Sequence, residues 1–69
     1  MKAKCLIIAH YKFTDKDGKE VDTTKAIIDL GNYGQVVSCS SLLNDKPLYT
    51  EANIVIEFKG KKFIIKSVG

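Results

Sequence analysis

His10 is the only histidine in the chain, so any Ser/His or Cys/His catalysis would have to use it. It lies among lysines and aliphatic residues in a strand-like stretch, and no nucleophile-elbow sequence is present. No glycine-rich phosphate loop leads into a helix. The sequence therefore predicts a protein that is not an enzyme, in which His10 is a half-exposed strand residue.

Residues that could ligate a metal are equally sparse. Cys5 and Cys39 belong to no CxxC pair, and a single histidine is too few to complete a zinc site with them. The acidic stretch 15–20 resembles a calcium loop, but Gly18 falls at its fourth position instead of its sixth, and Ala26 falls at its twelfth. We expect no metal and no cofactor, and we interpret both cysteines as buried free thiols in preference to a disulfide.

Lysine is the residue type that carries most information about function. The chain has a formal net charge of +3, with 11 basic residues, all of them lysine, and 8 acidic ones. Segments 1–12 and 59–66 contain no acid, whereas segment 26–58 has one lysine against four acids. If the two basic segments adjoin in the fold, they form a surface suited to a phosphate backbone. Equally, they could be a solvated edge that prevents aggregation.

Aromatic residues are interleaved with these lysines. Aromatic platforms beside lysines bind single strands without reading their sequence. Tyr33 lies in a glycine-rich turn where burial is difficult, so we expect an exposed stacking residue there. Phe58 and Phe63 alternate with polar residues and are expected in the core, whereas Tyr11 and Phe13 fit either role.

The elements that must position these residues are strands. Hydrophobic periodicity is close to two, β-branched residues are frequent, and no helical stripe of apolar residues occurs, which predicts an all-β chain. The predicted strands are Ala3–Phe13, Glu20–Leu30, Gln35–Ser40, Leu48–Phe58 and Lys61–Val68. In the first strand the odd-numbered residues from Cys5 to Phe13 are expected to share one face.

Five short strands joined by hairpins, with one longer connection after the third, predict a single domain over residues 1–69. A small closed or partly open barrel of OB-like or SH3-like type fits, because closure removes exposed sheet edges. The longest apolar run, Cys5–Ala9, is far below the roughly 18 residues of a membrane span and does not resemble a signal peptide. We expect a cytoplasmic protein, and its small core favours a homodimer.

One stretch resembles a known family. Asp29-Leu30-Gly31-Asn32-Tyr33, followed by a short strand and later by Leu48-Tyr49-Thr50, is similar to the gene-five-type single-stranded DNA-binding proteins of filamentous phages. The resemblance spans residues 14–68 and includes the closing Gly60 hairpin. It implies an OB-like five-stranded barrel that acts as a dimer. The chain departs from the family at Glu20, Val21 and Cys39, where basic or aromatic residues are typical.

The resemblance also implies roles for individual residues. Lys16 and Lys19 would contact phosphate from the first hairpin, Tyr33 would stack on a base, Lys66 would contact the backbone, and Tyr49 would be structural. Together with the charge pattern, it gives a predicted nucleic-acid-binding set of Lys12, Lys16, Lys19, Lys25, Tyr33, Lys61, Lys62 and Lys66.

Two functions are compatible with these features. The first is a sequence-independent single-stranded DNA-binding protein of the helix-destabilising type, which coats strands during phage or plasmid replication in the host cytoplasm and prefers DNA to RNA. The second is a small protein-binding module or phage-encoded inhibitor that docks a host protein through a sheet edge or through Leu42 and Leu43.

Overall fold

The computed structural model describes residues 1–69 and contains five antiparallel strands in one sheet, which confirms the all-β prediction. The strands are β1 (Lys2–Thr14), β2 (Glu20–Asp29), β3 (Gln35–Ser40), β4 (Glu51–Lys59) and β5 (Lys62–Val68). They are hydrogen-bonded in the order β3-β2-β1-β4-β5, so β1 lies at the centre of the sheet. Closure of this sheet into a barrel stays a prediction. No helix has the length and apolar character of a membrane span.

The sheet curves around a short turn of 3-10 helix, Ser41–Leu43, that follows β3. This turn contacts both β2 and β5, although these strands stand three places apart in the sheet. Leu43 projects from the turn into the core and is completely buried. The turn begins where Ser40 Oγ accepts a hydrogen bond from the Leu42 amide, a local side-chain bond that favours such a turn over continued strand.

The core is small and almost entirely aliphatic. Its nine buried residues come from β1, β2, β4 and the two segments that follow β2 and β3: Ala3, Cys5, Ile7, Ala26, Ile28, Leu30, Leu43, Ile54 and Ile56. Five partly buried residues of β3, β4 and β5 pack against it: Val36, Ala52, Phe63, Ile65 and Val68. The fold therefore depends on a few side chains.

A β-bulge interrupts β1 at Ile8. Ile7 lies opposite Ala26 in β2 and Ala9 lies opposite Lys25, so Ile8 is an additional residue without a partner. One extra residue reverses the alternation of side chains beyond it. Residues of β1 that follow the bulge therefore face the other way from the simple odd and even pattern.

This reversal makes the prediction of a single odd-numbered face wrong in the second half of β1. Cys5 and Ile7 are buried as predicted, but Tyr11 and Phe13 are exposed on the opposite face. His10 has moved to the core-facing side, where it pairs with the buried Thr24.

β4 follows the predicted alternation but begins later. Ile54 and Ile56 are buried as expected. The strand starts at Glu51 instead of Leu48, because Tyr49 has a φ of 62°, outside the extended region.

The two phenylalanines of the β4–β5 hairpin differ in burial. Phe63 is half-buried and packs against the core, as predicted. Phe58 was predicted to be buried, but 51% of it is exposed. Its position explains the difference, because it lies beyond Ile56, the last buried residue of β4.

Both cysteines are free, in agreement with the sequence prediction, but only one is buried. Cys5 lies in the core, and burial raises the pKa of its thiol. Cys39 was also predicted to be buried and is exposed, because it is paired with Lys25 on the outward-facing side of β3, at the end of the sheet.

We expect Leu43→Ala to lower the free energy of unfolding by about 2 to 5 kcal/mol, because it removes a completely buried side chain. Thermal unfolding followed by circular dichroism measures this. Leu42→Ala is the matched control: its side chain is 48% exposed, so the change should stay within about 0.5 kcal/mol. Equal melting temperatures for the two variants would show that the sheet does not depend on Leu43.

Candidate nucleic-acid interface

The first hairpin extends from the sheet as a two-stranded ribbon. Pairing of β1 with β4 ends at Leu6, and pairing of β2 with β3 begins only at Thr24. Residues 9–14 therefore pair only with residues 20–25 of β2, and residues 20–23 pair only with residues 11–14 of β1; we call residues 9–14 and 20–23 the ribbon. A two-stranded ribbon has two accessible faces, so the chemistry of each face decides what it contacts.

The outer face of the ribbon is aromatic. Tyr11 and Phe13 have ring centroids 6.4 Å apart and are 39% and 47% exposed. The register places Val21 and Thr23 opposite them on the same face. This pair of neighbouring rings is an accessible aromatic surface of the kind that base stacking requires.

Two residues of the sheet hold Tyr11 in place. The Lys25 ammonium lies 5.9 Å from the centre of the Tyr11 ring, within cation–π range. The Tyr11 hydroxyl lies 2.9 Å from Cys39 Sγ, within hydrogen-bond distance. This hydrogen bond is the main cause that raises the pKa of Tyr11, with smaller contributions from burial and from the charge of Cys39.

The ribbon ends in a well-ordered lysine-bearing loop. Asp15 Oδ1 accepts hydrogen bonds from the amides of Asp17 and Lys19, both at 2.9 Å, and Gly18 takes the positive φ of 79° that the turn needs. Lys16 and Lys19 are exposed in this loop, as the sequence predicted. They bring two ammonium groups to the end of the aromatic face, while Asp15 and Asp17 make the loop neutral as a whole.

Tyr33 is 81% exposed, which confirms the expectation that it cannot be buried. It closes a 3-10 turn, Gly31–Tyr33, between β2 and β3. Asp29 Oδ1 accepts a hydrogen bond from the Gly31 amide, and the Leu30 amide bonds to the Gly34 carbonyl, so the turn is fixed at both ends. The backbone that carries the Tyr33 ring is therefore held by hydrogen bonds on both sides of the turn.

Two predicted lysines are engaged by carboxylates. Lys12 lies on the inner face of the ribbon, 3.2 Å from Glu20 and 3.9 Å from Asp22. Lys66 lies 2.9 Å from Glu57. All these groups are well exposed, so the pairs contribute little stability, but each carboxylate offsets the charge that its lysine could offer to phosphate.

The remaining lysines form a separate group. β4 runs antiparallel to β1, with Val55 opposite Lys2, and continues to the β4–β5 turn beyond the amino end of β1. Lys61 and Lys62 lie at that turn, whereas the ribbon loop lies at the carboxyl end of β1. β4 lies between β1 and β5, so the two predicted basic segments do not adjoin, and Lys12 lies towards the opposite end of β1 from Lys61 and Lys62.

Tyr11 and Phe13, which from the sequence fit either a core or a surface role, are exposed neighbours at the centre of the outer face of the ribbon. The only signal was the apolar run Ile7-Ile8-Ala9, which interrupts the alternation and hides a bulge. No group of three or more potential metal-ligating side chains is present, and His10 bonds to Thr24 instead of to a nucleophile pair.

Comparison with family models, with curated proteins and with solved structures finds no match to this chain. The family resemblance of the short motifs stays a prediction.

We expect Cys39→Ala to lower the pKa of Tyr11 towards its ordinary value. The hydrogen bond to sulfur stabilises the neutral phenol, so its loss makes ionisation easier and shifts it to lower pH. Because the chain has three tyrosines, changing Tyr33 and Tyr49 to Phe isolates the Tyr11 absorbance in an alkaline titration. An unchanged titration in Cys39→Ala would contradict the assigned bond.

Proposed function

We propose that this chain is a non-enzymatic, sequence-independent single-stranded DNA-binding protein. The observation that carries the proposal is the outward-facing pair Tyr11 and Phe13, with Lys25 beside it. Every base has a π-face, so stacking on these rings is tolerant of sequence and is worth about 1 to 3 kcal/mol per base.

Phosphate contacts would come from the lysines that no carboxylate engages. Lys16, Lys19 and Lys25 adjoin the aromatic face, and Tyr33 offers an additional ring from the β2–β3 turn. Lys61 and Lys62 would extend the contact only for a strand long enough to reach the other end of β1. A lysine ammonium acts as a point charge and imposes no base preference.

The biological setting follows from the resemblance to the filamentous-phage proteins. A sequence-independent binder of this kind would coat and hold open single strands during phage or plasmid replication in the host cytoplasm. The preference for DNA over RNA and the partly open OB-like barrel belong to the same proposal. The exposed rings support it because bases must be unpaired before they can stack on a protein side chain.

We expect Phe13→Ala to weaken binding of a fluorescent oligo-dT by about 1 to 3 kcal/mol, since it removes one stacking surface. Tyr33→Ala should weaken binding similarly while leaving stability within about 0.5 kcal/mol, because its ring is exposed. Phe58→Ala is the matched control, an exposed phenylalanine of the β4–β5 hairpin. Fluorescence anisotropy measures all three, and equal affinities for the Phe13 and Phe58 variants would count against the aromatic face as the site.

Salt dependence identifies the lysines that contact phosphate. Three contacts by Lys16, Lys19 and Lys25 predict a slope of log K against log salt of about −2, and five contacts with Lys61 and Lys62 predict about −3.5. Removing Lys16 and Lys19 together should flatten the slope by about 1.4. Lys66→Ala should leave it unchanged, because Glu57 engages that lysine, and a slope near zero in the unaltered protein would remove phosphate contact from the proposal.

We also propose a homodimer. The core has nine buried apolar residues, no disulfide and no metal cluster to reinforce it, and chains of this size commonly gain stability by association. Large apolar side chains that remain exposed include Leu6, Val37, Leu42 and Ile64.

Light scattering at micromolar to millimolar concentration should give a mass twice that of the 7.7 kDa chain. Melting temperature should then rise with protein concentration, because association stabilises only the folded state. A mass of one chain over the whole range would refute the dimer and leave the binding proposal to the oligonucleotide experiments.

A second candidate function is protein docking, and one observation favours it. Tyr49 is the only non-glycine residue with positive φ and is 74% exposed, beside the exposed Leu48. Its backbone is fixed because its amide donates to the Ile7 carbonyl at 2.6 Å, and Ile7 donates to the Thr50 carbonyl. Strained residues cluster at binding sites. Failure of the unaltered protein to bind an oligonucleotide at low salt would favour this function.

A further inference from the structure

Asn44 connects the second 3-10 turn to the base of the ribbon through its side-chain amide. Its Nδ2 donates to the Asp22 backbone carbonyl at 3.2 Å, and its Oδ1 accepts from Thr24 Oγ1 at 2.7 Å. The same Thr24 oxygen lies 2.7 Å from Nδ1 of His10. One asparagine thus reaches β2 directly and β1 through Thr24.

The proton positions in this chain of bonds follow from counting donors and acceptors. A backbone carbonyl only accepts, so the amide nitrogen of Asn44 must face Asp22 and its oxygen must face Thr24. An amide oxygen also only accepts, so the Thr24 hydroxyl must donate its single proton to Asn44 Oδ1. The Thr24 oxygen can then only accept from His10, and Nδ1 of His10 must carry a proton.

The bond therefore holds in both charge states of His10. Adding a proton at Nε2 leaves the Nδ1–H donor in place. Thr24 is completely buried, so its hydroxyl has no water to replace a lost partner. The network connects the second 3-10 turn to the base of both strands of the ribbon.

We propose that Asn44 is a positioning residue for the ribbon, which it holds at the angle where Tyr11 and Phe13 face outward as a stacking surface. The ribbon has no neighbouring strand, so its orientation depends on the few side chains that join it to the sheet. On the outer face these are Tyr11 with Cys39 and Lys25. On the inner face Asn44 bonds to β2 directly, at Asp22 and Thr24, and is connected to β1 through the bond between Thr24 and His10. This inference rests on the proposed function only for its effect on binding.

The first test reads the proton positions directly. Long-range ¹H–¹⁵N NMR spectra at about pH 9, where histidine side chains are in general neutral, should show Nδ1 of His10 as the protonated nitrogen. In Asn44→Ala the Thr24 hydroxyl is free to donate to His10, so the Nε2–H tautomer should appear. Asn44→Asp keeps an acceptor for Thr24 and should keep the Nδ1–H tautomer, although it loses the donor to Asp22.

The second test reads the position of the ribbon. In Asn44→Ala, amide hydrogen exchange in residues 9–14 and 20–23 should accelerate by about tenfold, the equivalent of one lost hydrogen bond, while exchange in β4 is unchanged. Nuclear Overhauser contacts between the Tyr11 ring and Cys39 should weaken. Asn53→Ala is the matched control, because Asn53 is exposed on β4 and forms no side-chain hydrogen bond in the structure.

The third test reads the consequence for binding. Affinity for a fluorescent oligo-dT of about 16 nucleotides, the upper end of OB-fold site sizes, should fall about fivefold in Asn44→Ala and stay unchanged in Asn53→Ala. An unaltered His10 tautomer in Asn44→Ala would overturn the bonding assignment. Unaltered ribbon exchange and Tyr11 contacts would overturn the positioning role, as would unaltered affinity in a protein that binds. If the unaltered protein binds no oligonucleotide, the proposed function fails, while exchange and Tyr11 contacts still decide whether Asn44 positions the ribbon.

Discussion

The extra residue at Ile8 in β1 is the constraint on which the arrangement of this protein depends. Before the bulge, β1 contributes Cys5 and Ile7 to the core. After it, the reversed alternation turns Tyr11 and Phe13 away from the core side. Without the reversal, both rings would lie on the inner face that His10 and Lys12 now occupy, and no aromatic surface would face outward from the ribbon. A single unpaired residue thus divides β1 into a half that contributes to the core and a half whose aromatic rings face outward.

The ribbon separates two kinds of chemistry that the sequence interleaves. Aromatic and aliphatic side chains occupy its outer face, whereas His10, Lys12, Glu20 and Asp22 occupy its inner face. The inner charges largely offset one another, and the outer face has Lys25 without a carboxylate partner. A polyanion with flat, stackable groups is therefore better matched to the outer face than to the inner one.

In a chain of this size, each apolar side chain that stays exposed is one that the small core does not use for stability. Eleven of 69 residues are buried, while several large apolar side chains remain exposed. Leu43, which lies in a turn and not in a strand, is completely buried, and its turn contacts both β2 and β5. A small core leaves little reserve of stability.

The amino-acid sequence by itself determined the all-β class, the bounds of β3, the alternation of Ile54 and Ile56 in β4, and the exposure of Tyr33, because periodicity, glycines and turn residues act locally. Tertiary structure decided which face Tyr11 and Phe13 occupy, and why Cys39 and Phe58 are exposed. It also decided that Lys12 and Lys66 meet carboxylates. Bulges, strand order and cross-strand partners depend on contacts between residues distant in sequence, so no local pattern specifies them.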